Sequence, residues 1–343
     1  MVILALSKEY ERILASIKVD SENDPNKPEF PPNNPKFPAT PTFKIEVPGF
    51  SDVWLKDESQ NPTGTHKDRM AWEMVVMYRD FLLARKRGQV DEDLPSLSLI
   101  SSGSAAIAVQ TMLKRYGLPN LNVLVDVSMQ KSLVGALEKL GCNVYKYDLA
   151  KKALNWKEVL ELTNNINGFD ITSADAFGPT TKFYDWLSYE IVNTSPDYCF
   201  VPFGTGNLYQ NILNITKREV SSLVHDPRFS GDIKVLRNCC FIGATTNNPK
   251  SKADKLYAPH NPFSYYNEQW IHIFRSAGYC NPLSGVFTVR EQYLDEAMYI
   301  ASNQNINTAP SGVAGLAMML QMKNSIDKKK KILIVNTGKT KLI

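Results

Sequence analysis

The chain has no Cys-x-x-Cys pair, no His-x-x-x-His pair and no apolar run near the roughly 20 residues that a membrane-spanning helix needs. Its five cysteines, Cys142, Cys199, Cys239, Cys240 and Cys280, are odd in number and scattered. That spacing argues against a disulfide scaffold and against a structural zinc site. The four histidines, His66, His225, His260 and His272, suggest no metal-ligand set either. The opening Met1–Leu6 is too short, and lacks the charged start, for a signal peptide. A net charge of +4 over 343 residues makes no basic field, so nucleic acid is not an expected partner. The one dense basic run, Lys328–Lys331, precedes the apolar Ile332–Val335 and reads as a solvated turn. These absences lead to the expectation of a soluble, cytoplasmic protein with no metal and no membrane partner.

What is present fits a globular chain. With 43% hydrophobic and 22% charged residues the composition is ordinary, and the length favours about two domains. Residues 3 to 18 read as a short amphipathic helix. Asp24 to Pro41 carries seven prolines, which forbid a helix and favour an extended arm, either a linker or a wrap around a subunit. Short apolar runs then alternate with helical patterns. Strands are expected at Val53–Leu55, Leu97–Ile100, Leu121–Val127, Val144–Tyr147, Phe200–Phe203 and Ile332–Val335. Helices are expected at Lys67–Arg85, Ala105–Tyr116, Lys131–Leu140 and Leu208–Val220. This alternation predicts an α/β fold with parallel-rich sheets flanked by helices. Ligands in such folds sit in loops at the carboxyl ends of strands.

Four loops could carry chemistry. In Asn61-Pro62-Thr63-Gly64-Thr65-His66-Lys67-Asp68-Arg69 the turn signals let a helix start at Thr65, with Lys67 in its first turn. The helix dipole disfavours an ammonium there, which favours the neutral amine that attacks a carbonyl; a plain surface lysine is the other reading. Ser101-Ser102-Gly103-Ser104-Ala105 offers an anion site of N–H groups and hydroxyls, or simply a helix cap. Gly204-Thr205-Gly206-Asn207-Leu208 allows close approach of backbone to a phosphate but is not a complete dinucleotide fingerprint. Asn336-Thr337-Gly338-Lys339-Thr340 only hints at a P-loop, because the glycine needed five residues before Gly338 is Leu333.

The order and spacing of these loops are more specific than any one of them. Lys56-Asp57-Glu58 followed by Asn61–Arg69 resembles the Schiff-base lysine segment of fold type II pyridoxal-phosphate enzymes, the tryptophan synthase beta superfamily, and most closely its threonine synthase branch. Ser101–Ala105 resembles the substrate loop of that family, Gly141-Cys142 a Gly-Ala after the next helix, and Gly204–Leu208 the cofactor-phosphate loop. Pro310–Ala317 resembles the segment before the last helix, and Thr337-Gly338 the closing Thr-Gly. The resemblance runs from about Thr40 to Lys341.

The resemblance implies pyridoxal 5'-phosphate on Lys67, which would also move the substrate Cα proton. Gly204, Thr205, Gly206, Asn207 and Leu208 would hold the phosphate, and Thr337 would face the pyridine nitrogen. Ser101, Ser102, Gly103 and Ser104 would bind the substrate carboxylate. Ser104 stands where the family has an asparagine on the ring hydroxyl, so it is also a cofactor-binding candidate. The implied activity is that of a lyase acting by β/γ-elimination or replacement on a small amino acid, in a homodimer. Cysteine synthase-like or dehydratase-like chemistry is an alternative, as is a degenerate binding protein. A large cofactor domain is expected over 1–69 and 179–343, and a small substrate-loop domain over 70–178. One departure concerns the substrate. Thr180 occupies the place of a family arginine, and the Phe183–Trp186 segment that follows is aromatic and acidic. An apolar surface with Asp185 would repel a phosphate, so an unphosphorylated or otherwise activated amino acid is expected.

Overall fold

The computed structural model describes residues 37–172, 182–258 and 268–341. The expected helix at 3–18, most of the proline-rich arm and Thr180 lie outside the described residues. In chain order the elements are β1 (Thr42–Ile45), β2 (Val53–Asp57), α1 (Lys67–Lys86), β3 (Leu97–Ile100), α2 (Ser104–Arg115), β4 (Asn122–Asp126), α3 (Lys131–Leu140), β5 (Asn143–Tyr147), α4 (Trp156–Leu162) and β6 (Phe169–Asp170). There follow α5 (Asp185–Val192), β7 (Tyr198–Pro202), α6 (Asn207–Ser221), α7 (Ile233–Asn238), β8 (Cys240–Thr245), α8 (Glu268–Ser276), β9 (Gly285–Thr288), α9 (Glu291–Asn303), α10 (Ala314–Gln321) and β10 (Ile332–Asn336). They form two compact units. One holds the described residues of 67–178 with 37 and 38, and the other those of 39–66 and 179–341.

The larger unit is built on a six-stranded sheet in the order β1-β2-β10-β7-β8-β9. Only the β1–β2 pair is antiparallel; every other pair is parallel. The central strands read as near-continuous apolar runs because both faces are covered. All five residues of β10 are buried, as are four of the five in β7. Helix α10 (AGLAMMLQ) packs its apolar length on this sheet. Its Gly315 lies so close to β7 that a Cβ there would meet the Phe200 carbonyl oxygen at 2.8 Å.

The smaller unit is a four-stranded parallel sheet in the order β5-β4-β3-β6. Its core includes Leu97, Leu99, Val123, Val125, Ile107 and Val109, all buried. Helix α4 starts on a capping box, in which Asn155 accepts from the Glu158 N–H and Glu158 accepts from the Asn155 N–H. Helix α3 ends on Gly141 in the left-handed region, φ +111°. Among the described residues no helix is long and apolar enough to cross a membrane.

Candidate cofactor and active site

Three loops leave the carboxyl ends of three neighbouring parallel strands in the larger unit. The lysine loop follows β2, the Thr337-Gly338 turn follows β10, and the glycine loop follows β7. This is the edge of an α/β sheet at which ligands bind.

The lysine loop is held by buried polar groups. Asp57 at the end of β2 pairs in register with Asn336 at the end of β10, and Asn336 Nδ2 donates to Asp57 Oδ1 at 2.8 Å. The same carboxylate accepts from the Ser59 N–H at 3.1 Å and from Gln60 at 3.0 Å, capping the turn Glu58–Gln60. Glu58, fully buried, accepts from the Thr40 hydroxyl and from Asn61 Nδ2, the latter at 2.8 Å. Asn61 Nδ2 also donates to the Thr65 carbonyl at 3.0 Å, which closes the loop on itself.

Backbone meets backbone at Gly64 and Gly338. Both have positive φ, +83° and +88°. A Cβ on Gly338 would lie 2.1 Å from the Gly64 carbonyl oxygen, and one on Gly64 would lie 2.4 Å from that of Lys339. Only glycine permits this approach. The Lys339 N–H donates to the Gly64 carbonyl at 3.0 Å, Thr65 bridges Gly338, and the His66 N–H donates to the Thr337 carbonyl at 3.3 Å. Thr65 and His66, which could have opened the helix, are paired to the β10 turn, and the helix begins at Lys67, the first residue of the expected Lys67–Arg85. Lys67, partly buried, is the first residue of α1.

The glycine loop ends on Gly206, the N-cap of α6, with φ +87° and no side-chain cap. A Cβ on Gly204 would meet the Lys255 carbonyl oxygen at 3.2 Å. The N–H groups of Thr205 and Gly206 donate to no described residue, and those of the first helical turn have no intrahelical acceptor. Asn207 and Leu208 open that turn. These are the donors a phosphate ester requires. Thr337, buried, has its N–H on the Gly312 carbonyl at 3.1 Å. Its hydroxyl has no hydrogen bond to a described residue, so an uncharged partner for a ring nitrogen is available at the end of β10. On donors, spacing and close approach, these residues fit pyridoxal phosphate.

The Ser101–Ser104 loop belongs to the smaller unit and follows β3. Ser101 Oγ accepts from the N–H of Gly103 at 3.0 Å and of Ala106 at 3.2 Å, which caps α2. Gly103 has φ +120°, and a Cβ there would lie 2.9 Å from Leu133 Cδ2. Ser102 is exposed, and Ser104 is the first residue of α2.

The aromatic segment is not the apolar surface anticipated from sequence. Phe183, Tyr184, Asp185 and Trp186 are all buried. Asp185 accepts from Asn211 Nδ2 at 2.9 Å and lies 3.6 Å from the Arg228 guanidinium, which stacks 5.1 Å over Trp186. Paired in this way, Asp185 repels an anion far less than an open carboxylate would, so the argument from this segment against a phosphorylated substrate falls away. The basic run also differs from expectation in its last member: Lys328–Lys330 are exposed, but Lys331 Nζ donates to the Thr194 carbonyl at 2.5 Å and sits 5.5 Å over Trp54.

Two features went unseen in the sequence. One is the Asp57–Asn336 bond. The other is a ring contact between His66 and Tyr184, centroids 5.4 Å apart. The one available signal was Asn336, a polar residue ending an apolar run. All five cysteines are buried, and burial pushes the Cys142 and Cys240 thiols up to about 12, which leaves them poor nucleophiles near neutral pH.

Solved structures share this fold. Diaminopropionate ammonia lyase from Escherichia coli superposes with a TM-score of 0.62 at 13% identity, covering 97% of this chain and 89% of that one. The O-acetylserine dependent cystathionine beta-synthase of Helicobacter pylori gives 0.59 at 15% identity, covering 88% and 92%. Together with the sequence profile that matches residues 36–338, this fold is that of the fold type II pyridoxal-phosphate enzymes, the tryptophan synthase beta superfamily. The sequence profile described as pyridoxal-phosphate dependent enzyme matches residues 36–338, and the chain belongs to that family. Its cofactor is pyridoxal 5'-phosphate. A pyridoxal-phosphate dependent protein of Caenorhabditis elegans is 24% identical over 195 residues, 55% of this chain and 39% of that protein. The match therefore spans about two-fifths of that curated relative.

Proposed function

We propose that the protein is a pyridoxal-phosphate-dependent lyase that performs β/γ-elimination or replacement on a small amino acid, with a threonine synthase-like lysine loop. The observation that carries this reading is the placement of the lysine loop, the Thr337 turn and the glycine loop on three adjacent strand ends of one sheet. When bound, the cofactor supplies the electron sink for carbanion chemistry at Cα. Lys67 holds it covalently and moves the Cα proton. The N–H groups of Gly204–Leu208 take the phosphate. Thr337 offers the pyridine nitrogen a neutral hydroxyl, which does not force ring protonation and so suits elimination and replacement. The loop Ser101–Ser104 binds the substrate carboxylate through Ser102 and backbone N–H groups, with Ser101 shaping it; Ser104 is the candidate for the ring hydroxyl. Solved relatives named as an ammonia lyase and an O-acetylserine dependent synthase support elimination and β-replacement, so serine-type substrates stand beside homoserine-type ones. A homodimer belongs to the same proposal.

Borohydride reduction of the cofactor-loaded protein is expected to fix a pyridoxyl group on the peptide containing Lys67. Lys67→Ala should abolish turnover while the fold persists. Release of ammonia, phosphate and keto acid from serine, O-acetylserine and phosphohomoserine then identifies the leaving group. A label on another lysine, or none, would overturn the reading.

A further inference from the structure

Helix α5 is tied at both ends to the segment that leads to Lys67. Near its carboxyl end, Glu190 pairs with Lys56 Nζ at 2.5 Å, and Lys56 lies on β2 immediately before the lysine loop. Lys56 is almost fully buried and also donates to the Thr40 carbonyl at 2.6 Å. At the amino end Tyr184, 1% exposed, is the N-cap of α5 and sets its ring against His66, tilted by 33°. The helix itself is held by Asn211 and Arg228 on Asp185 and by the Tyr189 hydroxyl, which donates to Glu219 at 2.8 Å. A short rigid element therefore braces the loop from Lys56 to His66.

Two contacts of His66 bear on the direction of the lysine loop. Its N–H is on the Thr337 carbonyl, and its ring is on Tyr184. A ring held against Tyr184 narrows the side-chain torsions of His66, and with them the backbone directions open to the residue that precedes Lys67. We propose that Tyr184 is a positioning residue for Lys67, acting through the His66 ring. The inference rests on Lys67 being the cofactor lysine.

The test measures the dissociation constant of pyridoxal phosphate by equilibrium dialysis, with peptide mapping after borohydride reduction, on the full chain. Tyr184→Leu and His66→Ala should each weaken cofactor retention, about two- to tenfold for the loss of one aromatic pair. The double variant should be no weaker than the worse single variant, because both remove the same contact. Tyr184→Phe and His66→Phe, which keep two rings in place, should stay near wild type. A purely structural role predicts instead lower thermal midpoints with an unchanged dissociation constant. Additive losses in the double variant, or unchanged retention in Tyr184→Leu, overturn the proposal. If Tyr184→Leu does not fold, the His66→Ala and His66→Phe pair decides: equal retention in the two overturns it. The mapping separates the two levels. A wild-type label away from Lys67 sinks the cofactor-lysine reading itself, whereas a label on Lys67 with unchanged constants in every variant sinks only the role of Tyr184.

Discussion

The serine loop and the glycine loop are built alike. Each follows a parallel strand, and each places a glycine of positive φ at the N-cap of the next helix, Gly103 before α2 and Gly206 before α6. They differ two residues upstream of that glycine. There the first loop has Ser101, whose hydroxyl turns back to accept two N–H groups, and the second has Gly204, with no side chain at all. In one, the protein satisfies its own helix start. In the other, no described residue takes up the N–H groups of Thr205 and Gly206. The comparison teaches that a binding loop is recognised as much by the missing cap as by the glycines present.

The largest effect should come from giving the open loop a cap of its own. Thr205→Asp places a carboxylate among the donors, where it satisfies them and repels a phosphate. Cofactor affinity is expected to fall at least about tenfold with no loss of thermal stability; unchanged affinity would show that the phosphate is held elsewhere. The reciprocal change, Ser101→Ala, strands two buried N–H groups. It should cost about 1–2 kcal/mol of stability in denaturant unfolding. Cofactor affinity should not move; a drop in affinity with intact stability would mean that the hydroxyl is a ligand group rather than a cap. The smallest effect is expected at Thr337→Ala, about 1 kcal/mol of cofactor binding for one neutral hydrogen bond. A carboxylate found to serve the ring nitrogen instead would leave this variant silent and would call for a protonated ring. Asp57, at the end of β2 just before the lysine loop, already has its oxygens committed to Asn336, Ser59 and Gln60.

Legibility in the sequence followed the strength of local pattern. Strands β7 and β10 and helices α1, α2 and α6 stand out because apolar runs or helical periodicity persist along them and turn residues bound them. The stretch from 222 to 331 was not resolved into elements. There β9 is a four-residue edge strand with a mostly exposed face, and α10 is apolar on every side and carries no periodicity. The apolar run of β8 (CFIGAT) could have been read as a strand. The loops were legible from their turn chemistry, since Gly-Thr-Gly and Asn-Pro-Thr-Gly need no tertiary information. Their bracing was not. Asn336 and Asp57 are 279 residues apart, and the His66–Tyr184 pair joins a loop to a helix that no local signal connects. The surroundings of the aromatic segment are not local either: Trp186 is covered by Arg228 and Asp185 is paired by Asn211, both later in the chain.

The close approach of Gly64 and Gly338 also dictates when the site can exist. A ribosome releases the lysine loop long before it releases β10, yet the loop has no fixed shape until that last strand arrives to receive it. The same holds for Gly312, where a Cβ would lie 2.3 Å from the Gly338 carbonyl oxygen. Contacts of such long sequence separation form late and slowly. During synthesis Lys67 is therefore an ordinary lysine on an unfinished chain, and the loop proposed to present it to the cofactor takes its shape only after β10 and Gly338 have joined the sheet.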